Sequence, residues 1–311
     1  MTGEAAFDVV VLGEVLLEVG TEQPFGHGVP ARLQVSGDAL NVAACAAAAG
    51  ARVGLACVLT DDELGDAVLA RVDELGVSTA LVRRRRGQQG MYLVHSDPEG
   101  QREFAYARSG SVGSSLSVDD LDLDVLAEAG AVVASGITCA VSASAAAAVR
   151  TAAGVASRFV YDPNFRPRLT SAAEAGVVLR ELAARAWLVT PSFPGETSAL
   201  LGVGSAVEAG RALRALGAEA VAVTCGAEGV QLVAGSGETW VDAVPAPAVL
   251  DQTGAGDAVV GTLTARLVRG DDLVTATGLA VAAASLVVGG RGGTGLVPTL
   301  EQTRAHAATA G

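Results

Sequence analysis

The sequence predicts an α/β protein with a central, mostly parallel sheet flanked by helices on both faces, and a small β-sheet set apart from it. Three observations carry this expectation. Short β-branched runs alternate with Ala- and Leu-rich helical stretches along most of the chain. Hydrophobic residues make up 50% of the 311 positions and aromatics only 4%, so Val, Leu and Ala must build the core. The alternation breaks once, at residues 79–108, where extended segments follow one another without a helix between them.

The chain opens with the β-branched run Phe7–Leu12, which reads as a buried strand, and Val15–Val19 continues extended. Thr21–Pro30 is rich in Gly and Pro and reads as loop. Gly37-Asp38-Ala39-Leu40-Asn41 leads into an Ala-rich helix ending near Gly50, followed by a strand at Val53–Leu59 and a helix at Asp61–Leu75 that Gly76 stops. In the irregular stretch Leu81–Arg86, Gly90–His95 and Arg102–Arg108 read as strands, with a turn at Asp97-Pro98-Glu99-Gly100. Together with residues 15–35 this stretch is expected to form a lid sheet inserted in a single domain spanning 1–311. Alternation then resumes. Strands are expected at Ala131–Ser135, Phe159–Asp162, Trp187–Thr190 and Ala220–Thr224, and helices at Ala143–Ala156, Ala173–Ala184, Ala206–Leu216 and Val259–Arg269.

Composition excludes several classes of function. Net charge is −13 and the pI is about 4.6, which argues against nucleic acid or an anionic membrane as a partner. All 21 basic residues are arginine, so a Schiff-base lysine, a pyridoxal anchor and a lysine-bearing phosphate loop are ruled out. Any anionic substrate must be held by arginine, backbone N–H groups or a metal. The four cysteines are scattered without C-x-x-C spacing and read as small buried residues of a cytoplasmic protein. No apolar run is long enough for a membrane span, and no signal peptide is expected. The run Arg83–Arg86 reads as a solvated strand edge.

Asp251-Gln252-Thr253-Gly254-Ala255-Gly256-Asp257-Ala258 follows an apolar stretch and opens a helix. Glycines there let backbone approach an anion closely, and the N–H groups of a helix start carry partial positive charge. Asp257 would stand where a carboxylate takes a proton from an attacking hydroxyl. Together these are the parts of phosphoryl transfer, in which positioning and charge stabilisation do most of the catalysis.

Three motifs in order resemble the ribokinase-like (phosphofructokinase-B type) carbohydrate kinases. Ser36–Ala43, S-G-D-A-L-N-V-A, resembles that family's sugar-binding signature; Thr224–Gly229, T-C-G-A-E-G, its nucleotide loop; and D-Q-T-G-A-G-D its catalytic signature. Within the family, Gly90–Asp97, Glu103–Ser111 and Tyr161–Leu169 (Y-D-P-N-F-R-P-R-L) resemble segments of 2-keto-3-deoxygluconate kinases.

The resemblance implies a ribokinase-like fold and an ATP-dependent kinase that converts 2-keto-3-deoxygluconate to its 6-phosphate. It implies Asp257 as general base, with the N–H groups of Gly254, Ala255 and Gly256 stabilising developing charge. On the sugar side it implies Gly37, Asp38, Asn41, Tyr92, Tyr106, Arg108 and Arg166, with Glu18 gripping hydroxyls. On the nucleotide side it implies Asn164, Arg166, Ser192, Thr224, Gly226 and Gly229, with Glu196 organising Mg²⁺ through water. A monovalent cation, K⁺, and a homodimer formed through the lid sheet are further implications. Asp38 and Asn41 also read as caps of the following helix. Four positions depart from the family pattern: Ser36 for glycine, Ala107 for the second tyrosine of a Y-Y-R segment, Phe193 for asparagine, and Gln252 for threonine. Gln252 bears on the K⁺ implication, and Ala107 on the substrate. A neutral-sugar kinase of the fructokinase or ribokinase type, and a non-catalytic sugar or nucleotide sensor, stay open as alternatives.

Overall fold

The computed structural model describes residues 7–96, 102–235 and 237–309. The chain enters through β1 (Val9–Leu12), builds β2 (Leu16–Thr21) and β3 (Arg32–Ser36), and returns through the helix Asp38–Ala48 to β4 (Val53–Ala56). Next come β5 (Val58–Thr60), β6 (Arg83–Arg85), β7 (Met91–Ser96) and β8 (Arg102–Ala107). Then follow β9 (Ala131–Ser135), β10 (Phe159–Asp162), β11 (Leu188–Val189), β12 (Ala220–Thr224), β13 (Gly229–Ala234) and β14 (Gly237–Asp242).

The main sheet has the order β14-β13-β12-β11-β10-β9-β1-β4. Its strands from β4 across to β12 are parallel, and the hairpin β13–β14 closes one edge antiparallel. Helices cover both faces, so β1 is buried on both and reads as an unbroken apolar run. Val9 and Val11 pack into one apolar cluster with Leu40 and Leu263, whereas Val10 and Leu12 pack into another with Phe159 and Leu179. Because the strands are parallel, Leu12, Ser135, Asp162, Val189 and Thr224 all end on one rim, where open α/β sheets place their binding crevices.

A second sheet, β3-β2-β7-β8, stands over that rim. Its register sets Glu18, Tyr92 and Tyr106 in one row. The alternate row, Leu33, Val19, Leu93 and Ala105, belongs to the opposite face.

Three expectations are corrected. Leu81–Arg86 does not join the lid sheet: β6 pairs in parallel with β5 in a sheet of two strands. The expected strand Val53–Leu59 is divided between two sheets at Cys57, whose carbonyl accepts from Arg83 N. The arginines of β6 are not a merely solvated edge. Arg84 Nε donates to the Thr60 carbonyl at 2.7 Å, and Arg85 pairs with the buried Asp120 at 2.7 Å. The turn expected at Asp97–Gly100 lies outside the described residues. The four cysteines are free thiols, and burial pushes those of Cys45 and Cys57 up to about 12. Among the described residues, no helix is long and apolar enough to cross a membrane.

Candidate active site

A cavity of about 520 Å³ lies between the rim of the main sheet and the lid. That volume is in the range of small-molecule sites. Gly37, Asp38 and Asn41 reach it from the start of the helix that follows β3; Tyr92, Tyr106 and Arg108 come from the lid. Asn164 and Arg166 come from the loop after β10, Ser192 and Glu196 from the loop after β11, and Thr224 from the end of β12. Gly254, Gly256 and Asp257 line the cavity wall from the turn before the helix Ala255–Val268 and from that helix's first turn.

Three of the expected catalytic and nucleotide positions are not part of this wall. Ala255 turns away, and its N–H donates to the Gln252 carbonyl at 3.3 Å. Gly226 and Gly229 shape the turn into β13 instead. A Cβ on Gly229, at φ 141°, would lie 2.2 Å from the Val241 carbonyl oxygen, so glycine is needed there for strand packing.

Gly254, at φ 86°, begins the helix Ala255–Val268 without a side-chain cap, so its first turn presents backbone N–H groups to the cavity. Asp251 holds the preceding turn, accepting from Thr253 N at 2.7 Å and Gly292 N at 2.9 Å. Asp257 follows in the first turn and accepts from Asn41 Nδ2 at 2.8 Å. Burial and the nearby Asp38 raise its carboxyl to about 7, against the opposing pull of Asn41 and Arg166. Among the described residues, Asn41 Oδ1 is buried without a partner. Neither Asp38 nor Asn41 caps the helix. Gly37 occupies the cap position, and Ser135 donates its hydroxyl to Asp38 Oδ2.

Across the cavity, Glu196 is buried and accepts from two backbone N–H groups, those of Phe165 at 2.6 Å and Ser192 at 2.8 Å. It thereby ties together the loops after β10 and β11. Asp162, absent from the sequence expectations as a site residue, is buried beside it. Burial and the charges of Glu196 and Asp257 hold Asp162 well above the usual carboxylate range, while Arg166 pulls it back. Burial also raises Glu196, against the donors that hold it. Among the described residues, no three His, Cys, Asp or Glu side chains converge as a ready metal site. Two buried carboxyls, one of which raises the other, suit a hard cation completed by phosphate and water oxygens.

On the lid side, Glu14 is a site-building residue that the sequence expectations missed. It is 1% exposed and pairs with Arg108 at 2.5 Å, while the Ser111 hydroxyl donates to its other oxygen at 2.8 Å. Burial raises Glu14, and Arg108 opposes the rise. Among the described residues, Arg108 Nε is buried without a partner. Glu18 is also buried, but Tyr92 stands between it and the cavity, donating its hydroxyl to Glu18 Oε2. Phe104 and Arg168 line the cavity without having been anticipated as site residues.

The chain is similar to known proteins over nearly its whole length. The chain is 36% identical over 302 residues to a 2-dehydro-3-deoxygluconokinase of Thermoproteus tenax, covering 95% of this chain and 93% of the relative. It is 26% identical to a 5-dehydro-2-deoxygluconokinase of Shouchella clausii, covering 96% and 95%. Among solved structures, a PfkB protein from Polaromonas sp. JS666 superposes with a TM-score of 0.87 at 26% identity, covering 96% of this chain and all of that one. A fructokinase with bound ATP from Xylella fastidiosa gives 0.85 at 22% identity, covering 97% and 99%. The model of the pfkB family carbohydrate kinases matches residues 7–300, and the chain belongs to that family.

Proposed function

We propose that this kinase transfers the γ-phosphate of ATP to the terminal hydroxyl of 2-keto-3-deoxygluconate, the sugar acid also called 2-dehydro-3-deoxygluconate. One observation carries the reading. A single cavity holds an acid raised to about 7, an uncapped helix start and three arginines, Arg108, Arg166 and Arg168. The 36% identical 2-dehydro-3-deoxygluconokinase supports the choice of sugar.

In this mechanism Asp257 takes the proton of the attacking hydroxyl, and a value near neutrality suits a general base. Asn41 aims its carboxylate through the 2.8 Å bond. Gly254 and Gly256 offer N–H groups to the charge that builds on the transferred group. Arg166 stands among Asp162, Glu196 and Asp257, where a guanidinium can grip phosphate oxygens. Asp162 and Glu196 would hold Mg²⁺, which when bound neutralises charge on the phosphates. Asn164, Ser192 and Thr224 would meet the nucleotide. Gly37 and Asp38 would meet the sugar below, and Tyr92 and Tyr106 from the lid.

A neutral sugar is the second reading, favoured by one observation: the charge of Arg108 is already matched by Glu14. ADP release from Mg·ATP with 2-keto-3-deoxygluconate, fructose, ribose and adenosine separates the two. Strong preference for the sugar acid is expected; turnover of fructose or ribose alone would leave the kinase standing and remove the acid.

A further inference from the structure

Three arginines line the cavity, and their charges are not equally available. Arg108 is 9% exposed and bound to the buried carboxylate of Glu14, so the pair carries little net charge. Its Nε, unpartnered among the described residues, can still donate to a neutral oxygen such as a keto or hydroxyl group. Arg166 faces the three acids Asp162, Glu196 and Asp257, and its Nη1 donates to the Phe165 carbonyl at 3.1 Å.

Arg168 differs from both. Among the described residues it pairs with no carboxylate. It leaves the loop after β10 and crosses to the lid, where its Nη1 donates to the carbonyl of Phe104 on β8 at 2.9 Å. That bond fixes one corner of the guanidinium. Nε and Nη2, on the adjacent edge, remain as two parallel donors, the geometry that a carboxylate accepts side-on.

We propose that Arg168 is the residue that selects an acidic sugar, by binding the substrate carboxylate with its Nε/Nη2 edge while its Nη1 holds the lid. This assignment rests on the sugar-acid reading above and adds to it. Each arginine then has its own target, with Arg166 on phosphate, Arg108 on a neutral oxygen and Arg168 on the carboxylate. Substrate charge and lid position also become parts of one event, since the same guanidinium touches both.

The test compares wild type, Arg168→Gln, Arg168→Lys and Arg108→Gln in steady-state kinetics with 2-keto-3-deoxygluconate and with its uncharged C1 amide. Wild type should favour the acid. Arg168→Gln should raise KM for the acid about tenfold or more while lowering kcat far less, and should erase most of the preference over the amide. Arg168→Lys should restore part of that preference, because it returns the charge without the fork. Arg108→Gln should weaken acid and amide alike. A wild-type enzyme selective for the acid and an equally selective Arg168→Gln would overturn the assignment alone. So would loss of the preference in Arg108→Gln instead. A wild type that does not phosphorylate the acid would overturn the substrate reading and this assignment with it.

Discussion

Asp257 is the residue on which the proposed chemistry turns, and its environment makes two opposed predictions. As general base it must be ionised, so kcat should rise with pH through about 7 and then level. Asp257→Asn should lower kcat by about 10³-fold, within the range that general bases contribute. The same substitution should stabilise the fold. The folded-state value near 7 lies above the ordinary 3.8, so the wild type loses stability as pH rises between those values. Asparagine removes that loss. Its gain in Tm should be small near pH 4, grow to about pH 7 and then stay constant in thermal denaturation. Near-normal turnover in Asp257→Asn would end the base assignment. The place of Asp257 in the cavity wall was legible because the glycines of its turn adjoin it in sequence. Glu14 was not, since an acid after a strand gives no sign of burial. It is enclosed by Gly90 and Gly113, where a Cβ would come within 2.6 Å of its side chain, and by Arg108, all far along the chain.

The elements were legible where local pattern decides them and obscure where pairing does. Ala131–Ser135, Phe159–Asp162, Ala206–Leu216 and Ala220–Thr224 stand where the alternation of strand and helix puts them. The division of Val53–Leu59 does not follow from pattern, because only the distant Arg83–Arg85 strand draws β5 out of the main sheet. The helix that opens at Gly254 combines both cases. Its start is written in the sequence, but its fit depends on Gly293, whose carbonyl oxygen would lie 3.0 Å from a Cβ on Gly254. Gly254→Ala therefore meets a left-handed φ of 86° and a backbone contact together. It should destabilise by about 1–2 kcal/mol from the backbone conformation. It should also lower kcat by about tenfold with sugar KM little changed, since the N–H groups it displaces are needed most in the transition state. Thermal denaturation and steady-state kinetics read the two effects. An unchanged kcat would separate this helix start from the transfer.

The whole molecule joins an α/β body to a small sheet whose side supplies Tyr92, Tyr106 and Arg108 to the cavity wall, and that sheet's other face has its own chemistry. Leu33, Val19, Leu93 and Ala105 are direct cross-strand neighbours, so one apolar row crosses all four strands. Leu33 is 59% exposed at the outer end of that row, on the edge strand β3. An apolar strip ending on an open strand edge favours a like surface, because it can bury apolar area and pair backbone groups together. We propose that two copies of the chain meet there, which would hold each lid over its own cavity. Sedimentation equilibrium should then give twice the 30.9 kDa chain mass at micromolar concentration. Leu33→Asp, which puts a charge in the strip without touching the cavity wall, should give the single mass. Because the freed lid also carries Tyr92, Tyr106 and Arg108, the same variant should raise sugar KM by about tenfold and change ATP KM far less. A monomeric wild type would remove the interface. A monomeric Leu33→Asp with unchanged sugar KM would keep the dimer and show that each lid closes without its partner.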